Sequence, residues 1–205
     1  GSVQSDSVPL SVLARQDLAV SLYLPGVDAR PSVHRGALVT SYVSGNGAGN
    51  LTGEDTRDGF TESMTSMWWL KAIDVLTSSV GGAVVAFGDS ITDGWGSTDS
   101  ENQRWPNHFA RRIFNDSSIS KFAIVNAGIS GNRVAAENSP QFGQNLQARF
   151  ERDVLALNKV THMVLLEGIN DIGMATMETG TPIKSEIIIS GYRNIIARAH
   201  ARGIK

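Results

Sequence analysis

The chain has 205 residues, enough for one sizeable core or for one α/β domain with a smaller appendage, and 41% of them are hydrophobic. Eighteen basic against 20 acidic residues leave a net charge of −2 with no long run of either sign, which argues against nucleic acid as a partner. There is no cysteine, so disulfides, thiolate metal sites and cysteine nucleophiles are excluded together, and no apolar stretch approaches the roughly 20 residues that span a bilayer.

Residues 1–80 read as a β-rich appendage. Short alternating runs, Leu18 to Leu24 and Ala37 to Val43, are separated by Pro25-Gly26 and by a Gly/Asn cluster at 45–50, and Met67-Trp68-Trp69-Leu70 continues the pattern as a further strand. A sugar-binding tryptophan pair is the sharper alternative for that last segment. Gly1-Ser2 resembles the scar of tag removal, so a signal peptide removed earlier is compatible with the expected secreted or periplasmic setting.

From residue 81 to 205 the pattern changes to strands alternating with amphipathic helices. Ala83 to Phe87 predicts a buried strand, and Trp105, Phe109 and Ile113 then recur every four residues behind a Pro106 suited to a first helical turn. Lys121 to Asn126 predicts a second strand, Leu146, Phe150 and Val154 a second helix, and Val160 to Glu167 a third strand. A third helix carries Ile183, Ile187, Ile188, Tyr192, Ile195 and Ile196, with Thr181-Pro182 as its opening and Gly203 as its stop. This β-α-β-α-β-α order predicts a parallel sheet of flavodoxin-like, three-layer α/β type. Ile204-Lys205 reads as the start of another strand, so the expected sheet is incomplete in these residues and the polypeptide is expected to continue.

Three polar motifs follow the three strands directly: Gly88-Asp89-Ser90, Gly128-Ile129-Ser130-Gly131-Asn132 and Gly168-Ile169-Asn170-Asp171. Open parallel sheets bind ligands outside the carboxyl ends of their strands, so the motifs are expected to share one edge. A serine delivered by a Gly-Asp turn at a strand-to-helix junction suits acyl transfer, although Gly-Asp-Ser alone is ordinary turn chemistry. Gly131, without a side chain, could let a backbone N–H approach a developing oxyanion, or simply relieve a tight turn. Asn170 could supply an amide donor or cap the following segment.

Taken together, GDSITDG at 88–94, NAGISGN at 126–132 and GIND at 168–171 resemble the first three sequence blocks of the GDSL/SGNH hydrolases in order, strand placement and spacing. The resemblance covers residues 81–205. It implies that Ser90 is an acylated nucleophile and that its own N–H, the Gly131 N–H and the Asn170 side chain bind the oxyanion. Asp89 then shapes the turn rather than acting as triad acid. Asp89, Trp95, Asn132 and Arg133 lie next to the motifs and are the candidate substrate-binding residues. No cofactor or metal is implied.

The family draws its acid and base from a later Asp-x-x-His block, and none of His34, His108, His162 and His200 stands in such a block. They are read as solvated or core histidines. A serine without a positioned base is a weak nucleophile. The expected function is therefore hydrolysis of short-chain or carbohydrate acyl esters, with the base lying beyond residue 205 or in a C-terminal segment supplied as a separate chain, and with almost no turnover from these residues alone. The alternative is a non-catalytic homologue that binds an acylated carbohydrate or a protein partner in the same cleft.

Overall fold

The computed structural model of the chain describes residues 3–26, 30–78, 81–136 and 140–205; Gly1-Ser2 lie outside these. In the N-terminal region the strands are short and nested. β1 (Val33–His34) pairs antiparallel with β4 (Met67–Trp68), and β2 (Ser41–Val43) with β3 (Glu62–Met64). The expected strand at Leu18 to Leu24 does not form: its side chains alternate, but among the described residues no segment pairs with its backbone, and Leu18, Val20, Leu22 and Leu24 are exposed. Alternation supplies one face of a strand, whereas a strand needs a neighbour to take its hydrogen bonds.

β5 (Ala83–Gly88), β6 (Ala123–Gly128) and β7 (Val160–Leu166) form a parallel sheet in the order β6-β5-β7. Every residue of β5 is buried, as a central parallel strand covered on both faces requires. The connections carry α1 (Ser90–Asp93) and α2 (Trp105–Asn115) between β5 and β6, and α3 (Leu146–Phe150), running on as a π-helical turn at Glu151–Leu155, between β6 and β7. β6 lies to one side of β5 and β7 to the other. Right-handed crossovers therefore put α2 and α3 on opposite faces and create a topological switch at the carboxyl end of β5.

After β7 come α4 (Ile169–Thr179) and α5 (Ser185–Ala201). Sequence periodicity missed α4 and opened the last helix four residues early. Gly180, at φ 67°, closes α4, so Thr181-Pro182 serves as the link and Lys184 becomes the N-cap of α5. Lys205 accepts from the Met163 N–H at 2.9 Å and donates to the Thr161 carbonyl at 3.0 Å, which sets it against β7 on the edge away from β5. One core, of Val85, Phe87, Val134, Leu146, Phe150, Val154, Ile195, Ala199 and Ile204, packs α3 and α5 onto the sheet, with the Phe87 and Phe150 rings 5.8 Å apart.

Candidate functional site

Ser90 opens α1 immediately beyond β5. Asp89 is the N-cap, and its carboxylate accepts from the Ile91 N–H at 2.9 Å, which fixes the sharp passage from strand to helix. The second motif is held beside the first: the Ile129 N–H donates to the Gly88 carbonyl at 2.9 Å. The Asn132 N–H donates back to the Ile129 carbonyl at 3.1 Å. With Gly131 at φ 79° in the third position, residues 129–132 have the pattern of a type II turn. A Cβ on Gly131 would also collide with the Phe142 ring, so the position requires glycine for its backbone angle and for space.

The third motif is tied to the second. Asn170, in the first turn of α4, donates from Nδ2 to the Asn132 carbonyl at 3.0 Å, and the buried Asp171 carboxylate accepts from the Val134 N–H at 2.7 Å and the Ala135 N–H at 3.2 Å. The structure thus gathers all three motifs at one sheet edge and assigns Asp171 to holding backbone.

Beneath them lies a residue that the sequence reading missed. The fully buried Arg149 donates from Nη2 to the Gly88 carbonyl at 2.8 Å, from Nη1 to the Ala127 carbonyl at 2.7 Å and from Nε to Asn132 Oδ1 at 2.9 Å. Its guanidinium stacks 4.3 Å from the centre of the Phe87 ring. One planar cation therefore links the ends of β5 and β6 to the second motif. Burial works against its charge, while Asp153, 3.3 Å from Nη1, supports it. The signal was available: Arg149 stands three residues after Leu146 and next to Phe150, on the apolar stripe of its helix.

Glu167, at the end of the third strand segment, has its nearer carboxyl oxygen 3.9 Å from Arg149 Nη2 and finds no hydrogen-bond partner for either oxygen among the described residues. Burial, then the nearby Asp89, pushes its carboxyl up to about 9, so it is largely neutral at pH 7. Burial likewise raises Asp89 above the ordinary carboxylate range.

Three of the four expected substrate-binding residues are buried and engaged with the protein's own groups. Asp89 is buried, with Oδ1 on its cap and Oδ2 without a hydrogen-bond partner among the described residues. Asn132 is buried, with Nδ2 donating to the Phe142 and Gln144 carbonyls at 2.8 and 2.7 Å and its oxygen taken by Arg149. Arg133 is turned onto Glu178, with two bonds of 3.0 and 2.5 Å, and this pairing raises the arginine and lowers the glutamate. Trp95 is different: at 76% exposed, it stands clear just past α1.

Among the histidines, His108 and His200 are exposed on helices. His162 lies in β7, within 3.0 Å of Thr161 Oγ1 and edge-on to Phe122; it pairs with Val84, about 13 Å along the strands from Gly88. His34 is the exception to the expected bland role, because its Nε2 lies 2.7 Å from Oδ1 of the buried Asp93, in the same helix turn as Ser90.

A parallel α/β sheet with flavodoxin-like strand order, whose carboxyl edge carries serine, glycine and asparagine turns, defines the SGNH class of hydrolase folds. The GDSL-like Lipase/Acylhydrolase family model matches residues 86–205, and the chain belongs to that family. Solved structures with a similar fold include a lipolytic protein of the G-D-S-L family from Desulfitobacterium hafniense DCB-2, 22% identical over 60% of this chain and 56% of that one, with a TM-score of 0.45. The SGNH-hydrolase family esterase AlinE4 is 20% identical over 63% and 59%, TM-score 0.48. The acetyl xylan esterase AlAXEase is 25% identical over 60% and 55%, TM-score 0.44. The chain thus spans a little over half the length of these proteins. Comparison with curated proteins gives no match.

Proposed function

We propose that the protein hydrolyses carboxylic esters of short acyl groups, including acyl groups on carbohydrates, through a covalent intermediate on Ser90. The observation that carries this reading is the convergence of the three motifs: Ile129 on Gly88 at 2.9 Å and Asn170 on Asn132 at 3.0 Å bring the serine turn, the Gly131 turn and the Asn170 amide to one edge. Ser90 Oγ attacks the acyl carbon while its proton passes to a histidine base, which the family resemblance assigns to an Asp-x-x-His block. The carbonyl oxygen becomes an oxyanion, met by the N–H groups of Ser90 and Gly131 and by the second N–H of the Asn170 amide. Collapse expels the alcohol, which takes up the proton. Water then attacks the acyl-serine, giving the carboxylic acid and returning the proton to Ser90. Exposed Trp95 and Ile91 beside Ser90 offer an apolar and aromatic surface suited to a short acyl chain or a sugar ring. A secreted or periplasmic setting fits such a substrate.

The test is kinetic, with p-nitrophenyl acetate and protein that carries the Asp-x-x-His block. Ser90→Ala is expected to abolish hydrolysis, and Asn170→Ala to lower kcat by about 10² to 10³ with little change in KM, since the oxyanion exists only after attack. Undiminished hydrolysis by Ser90→Ala rejects the reading; a change confined to KM would make Asn170 a substrate-positioning residue.

A further inference from the structure

The N-terminal region touches the hydrolase domain at a place that bears on the chemistry. Asp93, on the same short helix as Ser90, is buried, with 2% of its side chain exposed. One carboxylate oxygen takes His34 Nε2 at 2.7 Å. The other accepts from the Ser130 N–H at 2.9 Å and from the Ser130 hydroxyl at 2.6 Å. His34 comes from β1, 59 positions away in sequence, and is set there by pairing with Met67 of β4. A Cβ on Gly36 would stand 3.0 Å from Asp93 Oδ2 and 3.3 Å from Ser130 Oγ, so this turn is pressed directly onto the carboxylate and the serine. Further along, the Ser100 N–H donates to the Leu38 carbonyl at 2.9 Å, and Arg104 donates to the Ala37 carbonyl.

Ser130 is the second residue of the turn whose third is Gly131. The Gly131 N–H belongs to the peptide plane that follows Ser130, so the two hydrogen bonds that pin the Ser130 N–H and side chain anchor the residue from which that N–H is one backbone rotation away. A buried carboxylate orients two donors well only if its remaining lone pairs are engaged, and His34 engages them from the far side.

We propose that His34 is a positioning residue for the oxyanion turn: through Asp93 and Ser130 it fixes the direction of the Gly131 N–H, so that the N-terminal region completes the geometry of the site. Its consequence for rate rests on the reading of Ser90 as nucleophile given above. Loss of His34 leaves Asp93 under-coordinated and lets the 129–132 turn rotate, displacing an oxyanion donor without touching substrate.

The experiment measures amide hydrogen exchange at Ser130, Gly131 and Asn132, and Ser90 phosphonylation by a fluorophosphonate resolved into maximal rate and half-saturating concentration. It compares wild type, His34→Ala, His34→Gln and Ser130→Ala, each in protein that carries the Asp-x-x-His block. His34→Ala is expected to speed Ser130 and Asn132 exchange about tenfold while Val85 and Phe87 keep their protection. It should lower the maximal labelling rate about tenfold with half-saturation held within about twofold, because a misaimed donor costs rate rather than binding. Ser130→Ala should act in the same direction. His34→Gln, whose amide N–H can serve the same carboxylate, should recover both readouts to within about threefold. Wild-type exchange and labelling in His34→Ala overturns the proposal. So does an effect that spreads to β5, or that glutamine fails to repair, since His34 would then be a general support of the fold. If Ser90 is labelled in no variant, the ester-hydrolase reading fails, and the exchange of Ser130 and Asn132 alone decides the role of His34.

Discussion

Replacing Arg149 with methionine is the most demanding perturbation of the site that leaves its surface untouched. The guanidinium satisfies three acceptors, the Gly88 and Ala127 carbonyls and Asn132 Oδ1, at 2.8, 2.7 and 2.9 Å. Each buried acceptor left without a donor costs about 1–3 kcal/mol. Methionine keeps apolar contact with the Phe87 ring and recovers part of that loss. Because Glu167 titrates at about 9, removing the cation leaves no full negative charge at that carboxyl near pH 7, which holds the penalty down. The net expectation is a destabilisation of about 3–5 kcal/mol, a large share of the roughly 5–15 kcal/mol that holds a domain together. Arg149→Lys keeps the charge but cannot present donors to three separated acceptors, and should lose about 2 kcal/mol or more. Urea unfolding followed by circular dichroism reads both, with an expected midpoint shift of about 2 M for the methionine variant. A methionine variant within about 1 kcal/mol of wild type would refute the idea that Arg149 ties the strand ends together.

Gly131→Ala should cost about 2–4 kcal/mol, from the positive φ and the collision with Phe142, and Phe142→Ala in the same chain should return part of it; thermal melting of the two variants checks this. Glu167→Gln should change the pH dependence of stability. The folded carboxyl titrates at about 9 against an ordinary 4.5, so folding takes up a proton between those values. Wild-type stability owed to this group is full below pH 4.5 and falls as pH rises through about 9, by up to about 1.4 kcal/mol per pH unit. The glutamine variant, lacking that slope, should gain about 2–4 kcal/mol on wild type between pH 5.5 and 8.5 in urea unfolding, whereas parallel profiles would contradict the buried neutral carboxyl.

Local chemistry made much of the sheet legible. Ala83 to Phe87 read as a buried strand, and Pro106 ahead of Phe109 and Ile113 marked the start of α2 to within a residue. The motifs were legible for the same reason, since each follows its strand directly. What escaped was set by distant partners. Leu18 to Leu24 alternates correctly but pairs with no strand among the described residues, and α4 escaped because Ile169, Ile172 and Met177 are scattered among Gly, Thr and acidic residues and the segment was read for its motif alone. The inward turn of Asn132 depends on Arg149, 17 positions later, and the bond from His34 to Asp93 crosses 59. No local pattern reports such pairs, though an arginine on the apolar stripe of α3 was a visible anomaly.

The central claim, that Ser90 is the nucleophile of this site, is tested most directly on protein that carries the Asp-x-x-His block, by exhaustive reaction with a fluorophosphonate followed by intact mass and peptide mapping. A single adduct on the peptide containing Gly88-Asp89-Ser90, absent from Ser90→Ala, is the expected result. Modification of a different serine, or an unmodified Ser90 after exhaustive treatment, would contradict it.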